Sequence, residues 1–434
     1  MSTQVVVVGG GFAGIACARH LAAQKDIAVT LVDRNDYHQF QPLLYQVATS
    51  MLAPRDIAYP IRKIAAEYTD FTAKRGDVVA IDPVAKTATT DTGETYAGDY
   101  LVLAAGSQPS FFGTPGAEHA FPLYSLDDAN SLSTRIVQAF EEADRSEARL
   151  EDGAIHFVIV GGGPTGVEVA GALAEMINTT IVHEFPALAP HAKVTLIDHG
   201  HALLAMFASK GHDYAARVLE KDGVELRFGI GVTEIGPGHV TLSDGSTIRT
   251  RCVIWGGGLK ASPIAAASGI PQGKGGRIDV NDDFTVPGFP GVLVIGDIAN
   301  IPNGKAAWHP QLGSVALQSG GAAAKTIQSL IKGETPKRFS YLDKGTMAMI
   351  GRGAAVAQVK GVELHGKLAF TAWLGVHAAL MTGGSNRVDA FRSWAVDYFG
   401  KERAPQALDR SGTPRMQWDD DETREAVATA AGEA

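Results

Sequence analysis

The feature that most restricts this chain is a pattern that occurs twice: a short β-branched run, three consecutive glycines, then a helix-forming stretch. Val5 to Val8 meets Gly9-Gly10-Gly11, and apolar residues follow at helical spacing through Ile15, Ala18, Leu21 and Ala22. Ala28 to Val32 reads as a second strand, closed by Asp33. In the later copy, Phe157 to Val160 leads into Gly161-Gly162-Gly163, and Val167 to Ile177 reads as a helix. Val194 to Ile197 is the returning strand, closed by Asp198, and Asn178 to Ala192 forms an added loop or a helix extension. Apolar runs this short and this uniform suit strands buried on both faces of a parallel sheet. Strand, glycine turn, helix, strand is one βαβ unit.

The glycine spacing narrows the reading further. In GxGxxG the first glycine permits a tight turn and the second lets a pyrophosphate approach the backbone. The third lets helix pack on strand, and the helix N-terminus faces the phosphates with partial positive charge. Gly9, Gly11 and Gly14 fill these places in the first copy, and Gly161, Gly163 and Gly166 in the second. Asp33 and Asp198 stand at the strand ends, where an acid accepts from a ribose hydroxyl. The chain therefore reads as binding two dinucleotides, against the alternative of two ordinary glycine turns. An aspartate repels a 2′-phosphate, which favours NADH over NADPH at a nicotinamide site. His199 and His201 follow Asp198 closely but are ordinarily neutral. Order along the chain does not say which cradle takes which nucleotide.

Elsewhere, Asp77 to Tyr100 alternates like a β-meander, and Leu101-Val102-Leu103 leads to Ala104-Ala105-Gly106. Cys252-Val253-Ile254-Trp255 ends in Gly256-Gly257-Gly258, and Val292 to Ile295 runs into Gly296-Asp297. Asp297 is placed either to hydrogen-bond a ribityl chain or to cap a helix. From about Pro336 basic residues outnumber acidic ones, while the segment after about Ser411 is acidic and small-residue-rich, with the composition of a disordered tail. The 434 residues suffice for two or three domains. A formal charge of −9 disfavours nucleic acid as a partner. Cys17 and Cys252 are the only cysteines and have no CxxC-type spacing, so neither a disulfide framework nor a metal site is expected. Met-Ser-Thr-Gln enters an apolar strand without a basic region before it, so no secretory signal is expected.

On these residues the chain resembles the two-dinucleotide-binding-domain flavoproteins, and more closely the type II NADH:quinone oxidoreductases, from about residue 3 to about 405. GGGFAG with Asp33 is similar to the family's FAD site, GGGPTGVE with Asp198 to its NADH site, and VIGD at 294–297 to its second FAD signature. HQFQPLLYQVA at 38–48 and DKGTMAMIGR at 343–352 are more particular to the family. AWLGVHAALMTGGSNRV and WAVDYF are similar to its membrane-facing C-terminal helices. The resemblance implies an α/β fold with two Rossmann-like domains in a glutathione-reductase-like flavoprotein architecture, plus a C-terminal membrane-associating segment. The expected division is an FAD domain over 1–118 and 259–335 and an NAD(H) domain over 119–258. A membrane-associating or dimerisation region over 336–409 and a tail over 410–434 complete it.

The residues implied for non-covalent FAD are Gly9, Gly11, Phe12, Gly14, Asp33, Arg34, Ala105, Gly106, Gly296 and Asp297. Those implied for NADH are Gly161, Gly163, Pro164, Thr165, Gly166, Glu168, Asp198 and Gly257. Glu168, read as lying in the first turn of the second helix, is the implied catalytic side chain, placing nicotinamide or quinone or relaying protons; the alternative is a first-turn carboxylate complementing the helix dipole. For the quinone the candidates are Ser314, Gln318 and Lys367, the last of which also fits a lysine snorkelling at an edge. The family's AQxAxQ run is here Gly313-Ser314-Val315-Ala316-Leu317-Gln318, with serine in place of the first glutamine, which leaves the acceptor open. Phe40, Pro42, Leu43, Leu44 and Tyr45 either wall the flavin or form core.

Leu368 to Met381 is apolar but shorter than the roughly 20 residues that span a bilayer. Phe391, Trp394, Ala395 and Tyr398 share a helix face, flanked by Arg387, Arg392, Lys401 and Arg403, which suits a headgroup layer, a dimer contact or a core helix. The implied protein is peripheral on the cytoplasmic face of the cell membrane and homodimeric, with NADH and a membrane quinone as substrates. A flavoenzyme with a soluble acceptor and a non-catalytic nucleotide-sensing flavoprotein are the competing readings. Disulfide reductases and sulfide:quinone oxidoreductases are disfavoured because their redox cysteines are missing.

Overall fold

The structure, a computed structural model, describes residues 2–304 and 308–399, with side chains through Val396. The tail expected over 410–434, Lys401, Arg403 and the Tyr398 side chain fall outside the described residues. The chain divides into two compact units, Met1–Gln39 with Ala58–Pro109 and Leu259–Lys344, and Phe40–Ile57 with Ser110–Gly258 and the chain from Gly345 onward. The boundary expected at 118 falls at 109. Residues 40–57, assigned from sequence to the first domain, group with the second unit.

In the first unit a six-stranded sheet has the order Thr285–Val286, Phe289–Val294, Tyr100–Leu103, Thr3–Val8, Ile27–Asp33, Phe71–Arg75. All neighbours are parallel except the first pair. Val5 to Val8 are almost wholly buried because the sheet is covered on both faces. The helix Phe12–Ala22 covers one face and carries Arg19 and His20 in its last turn, where the helix dipole favours positive charge. The helix Gly313–Ile331 lies against it so closely that a Cβ on Gly320 would stand 2.2 Å from Ala13 O. The expected meander is a three-stranded antiparallel sheet, Val78–Asp82, Thr87–Thr90 and Thr95–Ala97.

The second unit repeats the plan with five parallel strands, in the order Ala120–Pro122, Cys252–Trp255, His156–Val160, Lys193–Asp198, Val224–Phe228. Its entry helix Leu126–Arg145 starts in a capping box, with Ser125 Oγ accepting from Asp128 N at 3.1 Å and Asp128 Oδ2 from Ser125 N at 2.8 Å. After the glycine turn the helix Pro164–Met176 continues through a π-turn at Ile177–Ile181 into Val182–Glu184, so the inserted residues are a helix extension up to Glu184 and a loop with one 3-10 turn, Ala189–His191, after it.

The chain from Gly345 adds an antiparallel meander, Thr346–Gly351, Ala354–Val359 and Val362–His365, and two helices, Lys367–Leu380 and Gly384–Phe399. Gly171 joins these parts: a Cβ at that position would stand 1.6 Å from Ile350 O, so Pro164–Met176 can lie on Thr346–Gly351 only with glycine there. Gly171→Ala is therefore expected to destabilise the protein by about 1–3 kcal/mol, the usual cost of overpacking. The shift of the urea midpoint measures it, and an unshifted midpoint would show that helix and strand separate freely.

Candidate active site

The two cradles share one backbone design. A Cβ on Gly14 would lie 1.8 Å from Gly9 O, and one on Gly166 1.8 Å from Gly161 O. Gly9 (φ +107°) and Gly161 (φ +108°) hold left-handed backbone, and their Cβ atoms would strike Ala104 O at 2.4 Å and Gly256 O at 2.7 Å. Gly11 and Gly163 each face open space. They are the N-caps of Phe12–Ala22 and Pro164–Met176, and neither helix has a side-chain cap or a first-turn acid. Both helix N-termini thus leave N–H groups available to an anion, which is what a pyrophosphate requires.

The strand-end aspartates also correspond. Asp33 accepts from Gly10 N through one oxygen and from Asn35 N at 2.7 Å through the other. Asp198 accepts from Gly162 N and, at 2.6 Å, from Gly200 N. Each carboxylate therefore fixes its turn, while its remaining lone pairs can accept from a ribose. Burial raises the Asp33 carboxyl above its ordinary value, opposed by the two backbone bonds. Arg34 is exposed, and Phe12 meets the buried His38 ring edge-on at 5.3 Å. Asp297 lies within the short turn Gly296–Ile298 without capping it, and its carboxylate accepts from Ser107 Oγ at 3.3 Å. Burial pushes that carboxyl up to about 6, against Ser107 and Arg277. Gly296 (φ +70°) leaves only 2.9 Å between an added Cβ and Ala13 Cβ, which keeps this turn against the first cradle's helix.

In the second unit Glu168 Oε1 accepts from Met349 N at 3.2 Å. Burial lifts its carboxyl to about 8, and the Met349 bond opposes the shift only in part. Glu168 lies beyond the first turn of Pro164–Met176, which holds no acid, and a carboxyl that keeps its proton at neutrality adds little charge to a helix end, so the helix-dipole role is not what defines it. Tyr45 OH donates to Met349 Sδ at 3.1 Å, Gln46 Nε2 to Tyr45 OH at 3.1 Å, and Trp394 Nε1 to Gln46 Oε1 at 2.7 Å. Phe40, Leu43, Leu44 and Tyr45 are buried core of this unit. A cavity of about 410 Å³ opens beside the network, lined by Gln46, Met349, Phe370, Leu374 and Trp394 among others. Its charged lining residues are Glu175, Arg352 and Lys367, and Arg352 Nε pairs with Glu175 Oε1 at 3.2 Å.

Lys367 thus lines a cavity, whereas Ser314 and Gln318 belong to the first unit and already have partners. Ser314 Oγ and Tyr341 OH are 2.8 Å apart, and Gln318 exchanges two 3.0 Å bonds with the Leu342 backbone. The face expected on the last helix is corrected. Trp394 points inward to Gln46 because its N–H needs a buried acceptor, whereas Phe391 and Ala395 of that face are exposed, as are Val388 and Val396. Sequence reasoning gave no role to Gln46, Met349 and Arg352, although they lie in HQFQPLLYQVA and DKGTMAMIGR, and it missed Glu175, a carboxylate seven residues after Glu168 on the same helix face. Cys17 and Cys252 are buried, and burial lifts both thiols to about 12, so neither supplies a thiolate near neutrality.

Residues 3–320 match the family model described as pyridine nucleotide-disulphide oxidoreductase. Two type II NADH:quinone oxidoreductases of Mycobacterium tuberculosis are similar along nearly the whole chain. One is 35% identical, covering 92% of this chain and 89% of its own, and the other 36% identical, covering 93% and 89%. Among solved structures, NDH2 of Plasmodium falciparum in complex with NADH superposes with a TM-score of 0.86 at 18% identity, covering 93% of this chain and 100% of that one.

Glu168 gives the site a pH signature. The unfolded carboxyl ionises near 4.5 and the folded one near 8. Between those values the folded protein keeps a proton that the unfolded chain has lost, so stability falls across this window as pH rises and levels off above it. Glu168→Gln is expected to remove that fall. Urea midpoints of both proteins at the two ends of the window test it, and parallel pH profiles would show that Glu168 ionises normally.

Proposed function

Because this chain belongs to the type II NADH:quinone oxidoreductases, within the pyridine nucleotide-disulphide oxidoreductase family, we propose that it oxidises NADH through bound FAD and reduces a membrane quinone without pumping protons. The observation that carries this reading is the duplicated cradle, two uncapped helix N-termini behind two matching glycine turns in one chain. The net reaction is NADH + H⁺ + quinone giving NAD⁺ and quinol. When bound, FAD supplies the two-electron chemistry that links the two substrates.

The proposed FAD residues are Gly9, Gly11, Phe12 and Gly14 around the pyrophosphate, Asp33 and Arg34 on the ribose side, and Ala105, Gly106, Gly296 and Asp297 toward the ribityl chain. The proposed NADH residues are Gly161, Gly163, Pro164, Thr165 and Gly166, with Asp198 on the adenosine ribose and Gly257 on the opposite strand end. Glu168 holds a proton at neutral pH, which suits delivery to a reduced quinone that must gain two. The quinone is proposed to enter the cavity beside Lys367, where apolar walls and a few polar groups meet the usual needs of a carbonyl headgroup. A quinone carbonyl reaching Gln318 must compete with its bonds to Leu342, and one reaching Ser314 with Tyr341.

The C-terminal helices support peripheral attachment. No helix among the described residues is long and apolar enough to cross a membrane. Leu368, Val376, Leu380, Val388, Phe391 and Val396 nonetheless stand exposed on the two helices, Leu368 at 66% and Val388 at 67%. Burying the exposed part of each in lipid would contribute about 1–2 kcal/mol, with Arg387 and Arg392 available to anionic headgroups. We place this face on the cytoplasmic side of the cell membrane, in a homodimer.

Purified holoenzyme is expected to be yellow, bleached by NADH and reoxidised by a short-chain quinone faster than by oxygen. A colourless protein inert to FAD and NADH would overturn the assignment, and reoxidation only by soluble acceptors would overturn the quinone. Thr371→Trp, which fills the cavity from an exposed position, should raise the quinone KM several-fold while bleaching by NADH keeps its rate; an unchanged quinone KM would move the acceptor elsewhere. Leu368→Glu with Val388→Glu should reduce cosedimentation with anionic vesicles without slowing flavin reduction, and undiminished sedimentation would refute this docking face.

A further inference from the structure

A turn beside the second cradle is strained without an evident packing gain. Phe111 to Thr114 closes tightly, Thr114 N donating to Phe111 O at 2.9 Å. Its central residues, Phe112 (φ +52°) and Gly113 (φ +77°), are both left-handed. Turns of that kind select Asn, Asp or Gly at the first centre, because a bulky side chain is strained there. Phe112 is also 73% exposed, so its ring contributes little to the core. Strain of this sort persists where surrounding structure imposes it and a function uses it.

The surroundings do impose it. Ser110 N donates to Gly258 O at 2.9 Å, and Trp255 Nε1 donates to Ser110 O at 2.8 Å. The Phe111 and Trp255 rings pack at 5.3 Å. The Phe112 ring then rests on Gly258, where an added Cβ would meet Cζ at 2.9 Å. Gly258 is itself left-handed (φ +141°), so the third glycine of the 256–258 run clears the space that the ring occupies.

The location gives the ring a use. His156–Val160 lies between Cys252–Trp255 on one side and Lys193–Asp198 on the other, and their carboxyl ends carry the glycine turns. A dinucleotide crosses the crevice at such a switch point. With Asp198 on the adenosine side and the pyrophosphate at Gly161–Gly163, the nicotinamide riboside falls over Gly256–Gly258.

We propose that Phe112 is the aromatic wall of the nicotinamide site, a substrate-binding residue that stacks against the nicotinamide of bound NADH. This rests on reading the second cradle as the NADH site. Phe112→Asn suits the turn better than the native residue, so its thermal midpoint should equal or exceed that of the wild type. Its KM for NADH, and the NADH concentration giving half-maximal bleaching in stopped flow, should rise about five- to tenfold, the loss of one aromatic stacking contact. Flavin content and quinone KM should not change, and Phe112→Tyr should restore the NADH dependence. A Phe112→Asn enzyme with wild-type NADH dependence would overturn the proposal, as would a rise in KM that comes only with a lowered midpoint. Wild-type holoenzyme that NADH fails to bleach would instead sink the underlying assignment of the cradle.

Discussion

Everything in this fold that bears on function depends on two missing Cβ atoms. At Gly14 and Gly166 the helix backbone approaches the carbonyl of the first glycine so closely that an added carbon would lie 1.8 Å from it. Any side chain there would push the helix off its strand and turn its free N–H groups away from the crevice. The strand-end aspartate secures the same turn from the other side, through Gly10 in one unit and Gly162 in the other. One device therefore does two things: it sets the distance between helix and sheet, and it leaves a positively polarised helix end exposed to phosphate.

The second unit extends this economy of space. Gly171, five residues after Gly166, removes another Cβ and lets the strand Thr346–Gly351 lie on the same helix. That contact brings Met349 N to Glu168 and Arg352 to Glu175, one turn-pair apart on one helix face. The two carboxylates differ in environment. Glu168 has a single backbone donor and is driven to hold its proton, whereas Glu175 has a guanidinium beside it. Separating two acids by their partners is how one helix can present a neutral carboxyl and an ion pair along the same wall.

The nucleotide-binding half of this arrangement was legible in the sequence because it is local. Strand, glycine spacing, helix and acid fall within one βαβ unit, and in the two units the strand limits from the sequence differ from the structure by at most two residues. The third element at Gly296-Asp297 was legible for the same reason, although of its two readings the helix cap is absent, Asp297 accepting from Ser107 instead. What was not legible depends on contacts between residues hundreds of positions apart. Residues 40–57 join the second unit, where Leu44–Ala48 packs on Leu126–Arg145 and Pro164–Met176, and Tyr45 and Gln46 bond to Met349 and Trp394. Helical periodicity places Trp394 with Phe391 on an apolar stripe, but it does not register that an indole N–H must find an acceptor. Gln318 and Ser314 read as acceptor-site donors until Tyr341 and Leu342 are seen to occupy them.

The Trp394–Gln46–Tyr45–Met349 chain has a consequence for how the C-terminal helices act. Gln46 is fully buried, and its amide is satisfied at one end by Trp394 and at the other by Tyr45. A buried amide left with one partner missing is costly, so the network favours being wholly formed or wholly broken. The helix that carries Val388 and Phe391 outward is thus bound by the same residues that position Met349, whose N–H meets Glu168. If that outward face enters lipid, membrane attachment stabilises the helix, and by linkage it stabilises the proton-holding geometry of Glu168 as well. An enzyme whose acceptor is dissolved in the bilayer would then be most completely assembled where that acceptor is.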